Sequence, residues 1–346
     1  MDQDSAVNAS DRGGRLPLGS LPVLVHSHGT GSNKRQITAF RVADQSTCTQ
    51  VVPELTENSF HVTQHGWVFL HDPASTRTRL WDPRSGAAGH GARRPAAAAR
   101  GCFLSDVPTA PSCVVLVLCD PETRLLYCRV DGNNNSRWTE HEYDVGTVPL
   151  PPGYAPPTKW VIQQTAAVGG RFYFLETGQL GVIEFLISRR QPEFTFHDYP
   201  HPDFPTGSNA ASSYMVAASS RDDELFDVRV FLKSFSPEVL AVHVYKVDLS
   251  SSSSGPPTLC KVDDLGDDRA LLLSYPNAQV LCSASRYGLK RNHVYFMRNV
   301  MNEPDGGLLH IYDMNRQSLE TVRPCQDMTE LMNDPFWMLP TNSDCN

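Results

Sequence analysis

The sequence has no long apolar run: its longest clean stretch, 114–118, is far too short to cross a bilayer. The acidic opening Met1-Asp2-Gln3-Asp4-Ser5 has no apolar signal-peptide core behind it. Positive charge is also scarce. Lys and Arg number 30 against 38 Asp and Glu, a net charge of −8, which argues against nucleic-acid or anionic-membrane binding by bulk electrostatics and leaves only a local basic patch open. The 9 cysteines are scattered and odd in number, with no C-x-x-C pair among them. Cys113, Cys119 and Cys128 lie in apolar runs, where a free thiol behaves as a small hydrophobe. That argues against a disulfide framework and for a reducing compartment, so cytosol and/or nucleus is expected. Asn8-Ala9-Ser10 and Asn134-Asn135-Ser136 match the glycosylation pattern, idle without secretion. Helical periodicity is nearly absent too: outside 329–332 no stretch longer than about ten residues keeps a 3.6 period.

What is present is a globular composition, 40% hydrophobic and 20% charged over 346 residues, written in strand-sized pieces. β-Branched and aromatic runs bounded by Gly, Asn, Asp and Pro stand at 23–26, 37–42, 49–52, 66–70, 78–83, 112–118, 124–130 and 137–143. They resume at 169–175, 181–185, 193–199, 213–218, 225–232, 239–247, 259–262, 270–273, 293–297 and 308–314. Between them, 86–100 is rich in Ala, Gly, Arg and Pro and is expected to be an exposed loop. The stretch 149–157 reads as a proline-rich connector and 250–254 as a serine-rich hairpin tip. The same grammar recurs every 45–55 residues, roughly the period of kelch-like and WD-type blades. The expected fold is therefore an all-β propeller of four-stranded meander blades, about six of them, within a range of five to seven. Residues 1–20 are expected to be a disordered lead-in, 21–341 a single propeller domain and 342–346 a tail. A β-sandwich is the structural alternative.

Chemistry-bearing motifs are weak. Gly29-Thr30-Gly31-Ser32-Asn33-Lys34 lacks the Gly-Lys-Ser/Thr order of a phosphate loop and reads as a hairpin turn. His26 with His28, and His61 with His65, offer half a metal site each, with nothing nearby to complete four ligands. His197-Asp198-Tyr199-Pro200-His201 has no serine elbow or cysteine nucleophile beside it. Asp263-Asp264 and Asp267-Asp268 are turn formers. Catalytic, cofactor-binding and metal-binding residues are therefore expected to be none.

The last quarter carries more order. Leu265-Gly266-Asp267-Asp268-Arg269 precedes an apolar strand, Gly288-Leu289-Lys290-Arg291-Asn292 precedes Val294-Tyr295-Phe296, and Ile311-Tyr312-Asp313 and Trp337-Met338-Leu339-Pro340 follow. These resemble the acidic "LGDR" turn, Gly-Lys-Asn turn, "IYF" strand, Tyr-Asp strand end and late Trp-x-x-Pro of the plant KIB-type β-propeller family, a domain usually found behind an F-box. One extra Asp and one inserted Arg depart from the pattern, both in turns. The segment 261–314 reads as a β-meander. The resemblance implies a propeller and a non-enzymatic protein-interaction role like that of a substrate receptor in F-box ubiquitin ligases. An F-box needs about 40–50 helical residues, whereas only about twenty, largely polar, stand ahead of the first strand. The scaffold is thus an expected partner only if an F-box is supplied elsewhere. The expected partner is an unknown protein, with no nucleic acid and no membrane, and the chain is expected to be a monomer. The candidate contact is the basic, aromatic loop bearing Arg286, Tyr287, Lys290 and Arg291, residue types that favour partner surfaces. The alternative is a small-ligand binder or enzyme using the central channel.

Overall fold

The computed structural model describes residues 22–339 apart from 30–35, 94–98, 112, 131–136, 149–157, 177, 187, 190, 219–223, 251–255, 275–278, 299–305, 327, 329–330 and 332–333. The expected lead-in and tail, the proline-rich connector, most of the serine tract and most of 329–332 lie outside these residues. Blade one begins with β1 (Val23–His28), β2 (Gln36–Arg41) and β3 (Ser46–Gln50). β3 ends at Gln50, two residues short of the expected strand through Val52, and a five-residue helix, α1 (Pro53–Glu57), follows, its first turn preset by Pro53. Blade two is β4 (Ser59–Val62), β5 (Val68–His71), β6 (Arg77–Trp81) and β7 (Ala88–Arg93). Blade three is β8 (Ala99–Leu104), β9 (Val114–Cys119), β10 (Arg124–Arg129) and β11 (Thr139–Glu142). Thus 86–100, read as a loop, instead holds β7 and the start of β8, since backbone pairing and not side-chain pattern forms these strands.

Blade four is β12 (Ala166–Val168), β13 (Arg171–Glu176), β14 (Gln179–Glu184) and β15 (Glu193–Asp198). Blade five, with longer strands, is β16 (Ser208–Ala217), β17 (Leu225–Lys233), β18 (Val239–Asp248) and β19 (Thr258–Val262). Blade six comprises β20 (Arg269–Leu273), β21 (Val280–Ser283), β22 (His293–Arg298), β23 (Leu308–Asp313) and β24 (Ser318–Val322). The last strand, β25 (Phe336–Met338), pairs antiparallel with β1 and completes blade one from the other end of the chain. The molecule is a six-bladed propeller of small sheets.

The core lies between the blades. In β9 every residue is buried because its two faces serve different neighbours. Val115, Val117 and Cys119 pack with Phe69 and Leu80 of blade two. Val114, Leu116 and Leu118 pack with Phe172, Phe174 and Ile183 of blade four. Each such side chain contributes about 1.5–3 kcal/mol by leaving water. Clusters of this kind fill all six interfaces, so each blade is held by its neighbours as much as by its own ladder.

Blade six departs from the expected meander. β21 folds back on the inner side of β20, and the chain then crosses to the other side, so that β22 runs parallel to β20 with Ala270 opposite His293. The sheet order is β21-β20-β22-β23-β24, five strands in place of four. A parallel neighbour needs a crossover, and residues 284–292 supply it.

Candidate partner-binding surface

The crossover loop holds all four of the residues expected to meet a partner. Asp268, just ahead of β20, fixes its start by accepting hydrogen bonds from Ser283 Oγ (2.6 Å), Ser285 N (2.7 Å) and Ser285 Oγ (2.7 Å). Those donors hold the Asp268 carboxyl below the usual carboxylate range. Gly288 takes a left-handed φ of +65°, which a Cβ would strain, and Leu289 N donates back to Ala284 O at 2.9 Å. Lys290 N donates to the hydroxyl of Tyr295 at 2.9 Å, whose own pKa burial pushes up to about 12.

The loop's far end is pinned by Asn292, buried and left-handed at φ +57°. Its Oδ1 accepts from Leu265 N (2.9 Å), and its Nδ2 donates to Asp263 O (3.2 Å) and Asn315 Oδ1 (2.8 Å). Arg269 reaches Glu224 of blade five at 2.6 Å, and Lys246 holds the same carboxylate. The motif residues of the closing segment therefore position strands and seal the joint between blades five and six.

The four expected contact residues separate into two kinds. Tyr287 is buried in the core between blades six and one, with Leu24, Tyr295 and Trp337 in the same cluster. Its ring carries the Arg286 guanidinium 5.6 Å above the centroid. Arg286, Lys290 and Arg291 are exposed. Lys290 and Arg291 also line an open cleft of about 450 Å³ between the crossover and the β23–β24 hairpin. His293, Asp313, Arg316 and Glu320 complete its polar wall, while Ile311 and Leu319 supply apolar surface. Lys290 Nζ lies 2.8 Å from Glu320 Oε2 across it, and Asp313 Oδ2 stands 3.8 Å from His293 and 3.9 Å from Arg316. Sequence reading missed Arg316 and Glu320. Only the register of β23 with β24, Ile311 opposite Glu320, brings them to the loop.

Near the inner strands Gln64 is held by the scaffold, while His26 Nε2, Gln164 Oε1 and Thr165 Oγ1 are buried without a hydrogen-bond partner among the described residues. Gln64 Nε2 donates to Leu104 O (3.5 Å) and Ala167 O (3.4 Å), tying together the inner ends of blades two, three and four. Burial pushes the adjacent His65 down to about 4, so its ring is neutral near pH 7. His26 lies apart from it in β1, also pushed down to about 4, with Cys325 Sγ 3.7 Å from its Nδ1. Among the described residues no group of three or more His, Cys, Asp and Glu side chains is placed to hold a metal ion, and no helix is long and apolar enough to cross a membrane.

No curated protein matches the chain. Among solved structures it is similar to a chain of the nidogen–laminin complex, at 10% identity and a TM-score of 0.44, covering 92% of this chain and 99% of that one. It is also similar to a functionally unknown protein from Desulfotomaculum acetoxidans, at 9% identity and a TM-score of 0.40, covering 89% and 88%. The Cps50 (Swd1) β-propeller domain of Myceliophteria thermophila matches at 10% identity and a TM-score of 0.36, covering 79% and 88%. Likenesses of this size say nothing of what the chain binds. The model of the KIB1-4 beta-propeller family, by contrast, matches residues 39–318, from β2 through the crossover to the start of β24, and on that span the chain belongs to the KIB1-4 β-propeller family.

Proposed function

We propose that this propeller is a non-enzymatic protein-interaction module that meets its partner on the blade-six rim. The observation that supports the reading is the division of labour in the crossover: Asp268, Tyr287 and Asn292 fix the loop from within, while Arg286, Lys290 and Arg291 are presented to solvent. A rigid loop displaying guanidinium groups loses little conformational entropy on binding, and arginine is enriched at binding hot spots. The free, mostly buried thiols of the described cysteines support a cytosolic or nuclear setting. Recruitment to a ubiquitin-ligase scaffold, which the family resemblance implies, then calls for an F-box supplied in trans or on another segment.

The test is capture of partners from cell extract with the full chain and with an Arg286→Glu/Lys290→Glu/Arg291→Glu variant, after checking that both melt alike. The three side chains are exposed, so the fold is expected to survive. Loss of a captured protein by about tenfold or more is expected. Identical capture by both proteins overturns the assignment of this rim.

A further inference from the structure

We infer that the blade-six cleft takes an acidic, extended peptide segment that carries an apolar side chain. This rests on the reading of the rim as a partner surface and adds the partner's chemistry. The cleft sets three cations, Lys290, Arg291 and Arg316, against two carboxylates, Asp313 and Glu320. Both carboxylates are already engaged, Glu320 by Lys290 at 2.8 Å and Asp313 by His293 and Arg316 at 3.8 and 3.9 Å. Arg291 makes no ion pair among the described residues, and the Arg316 side chain is 84% exposed. Arg286 adds a third guanidinium at the edge of the crossover, stacked on Tyr287. Guanidinium forks match carboxylates bidentately, and the two that line the cleft, Arg291 and Arg316, suit carboxylates spaced along an extended chain. Between the charges Leu319, 38% exposed, offers apolar contact to an intervening side chain, whereas Ile311 is 5% exposed and belongs to the core.

The cleft lining thus carries one more positive than negative group on a chain of net charge −8. At physiological ionic strength the Debye length is about 8 Å, so a ligand seated in the cleft feels these groups and the aspartates of the 263–268 turn bonded to the crossover more than the rest of the acidic surface. Exposed ion pairs such as Lys290–Glu320 are weak, so an incoming carboxylate can replace Glu320. Nucleic acid would bring the same sign of charge, but its backbone offers nothing for the apolar floor.

The experiment measures fluorescence anisotropy of a labelled peptide repeating Glu-Leu-Glu-Glu against Ser-Leu-Ser-Ser and Lys-Leu-Lys-Lys peptides of equal length. A labelled single-stranded oligonucleotide is run alongside. Expected results are preferential binding of the acidic peptide, weakening as salt rises from about 0.05 to about 0.5 M. Arg291→Glu/Arg316→Glu should cost about tenfold or more in affinity, and Arg189→Glu on blade four should cost nothing. Equal binding of the acidic and serine peptides, an equal loss with Arg189→Glu, or tighter rim-dependent binding of the oligonucleotide overturns the inference. If the acidic peptide fails while the rim variant still loses a captured protein, only the acidic chemistry falls. If both fail, the interaction reading falls with it.

Discussion

Two residues share a left-handed backbone and should respond in opposite ways to glycine. Phe235, at the tip of the β17–β18 hairpin, has φ +59° and is 99% exposed, so its ring contributes no burial to the folded chain. A left-handed residue with a Cβ costs roughly 1–2 kcal/mol, partly offset by the greater freedom glycine has when unfolded. Phe235→Gly is therefore expected to raise stability by about 0.5–1 kcal/mol, seen as a higher urea midpoint at unchanged slope. Asn292 has nearly the same φ, +57°, but its side chain satisfies Leu265, Asp263 and Asn315 inside the protein. Asn292→Gly keeps the backbone and strands three partners, a loss of about 2–4 kcal/mol. If the two glycine variants moved the midpoint the same way, backbone conformation and not the hydrogen bonds would govern both sites.

At the scale of elements, the strands that sequence reading overlooked are mostly of one kind. β4, β8, β12, β21 and β25 are the inner strands of their sheets. All but β8 are short, and Ala166-Ala167-Val168 or Phe336-Trp337-Met338 shows no alternation because both faces are buried. β13, β17 and β22 are buried on both faces as well, and were legible because longer β-branched and aromatic runs bounded by turn residues mark them. The exposed outer strand β24 was lost for the opposite reason, having no apolar face to mark it. The parallel crossover was illegible because a turn sequence does not say on which side of β20 the next strand lands. For the same reason Arg286, Lys290 and Arg291 could be named from residue type alone, but not the burial of Tyr287 or the arrival of Arg316. The late tryptophan was visible as a motif and its work was not. Trp337 stands in the closing strand, 2% exposed, and donates from Nε1 to Leu273 O of blade six at 3.2 Å. It locks the two ends of the ring. Trp337→Ala is expected to cost about 3–5 kcal/mol by cavity formation. Trp337→Phe, which keeps most of the burial, should cost about 1–2 kcal/mol for the orphaned carbonyl. Similar losses for the two variants in urea melts would mean that the hydrogen bond, and not the packing, closes the ring.

For the molecule as a whole, two electrostatic effects compete as pH falls. The net charge of −8 at pH 7 shrinks toward zero near pH 5.8, which relieves self-repulsion and favours the compact state. Against this stand histidines whose burial depresses the folded pKa: His26, His65 and His310 to about 4, and His28, His141 and His243 in the same direction. Below the ordinary histidine value of about 6.5 the unfolded chain takes up these protons and the folded one resists them. Their contribution is complete above pH 6.5 and is lost as pH falls to about 4. Carboxylates held low by their partners, Asp268 and Glu224 among them, extend the loss to lower pH with the same sign. The net charge is spread over a surface of 17811 Å² and screened beyond about 8 Å, whereas a buried imidazole must be desolvated as a cation where it sits. The local terms should win. The melting temperature is expected to be lower at pH 5 than at pH 7, although pH 5 lies nearer the isoelectric point, and His26→Leu should flatten that slope. A melting temperature that peaks near pH 5.8 and ignores His26→Leu would show instead that self-repulsion sets the acid limit of this propeller.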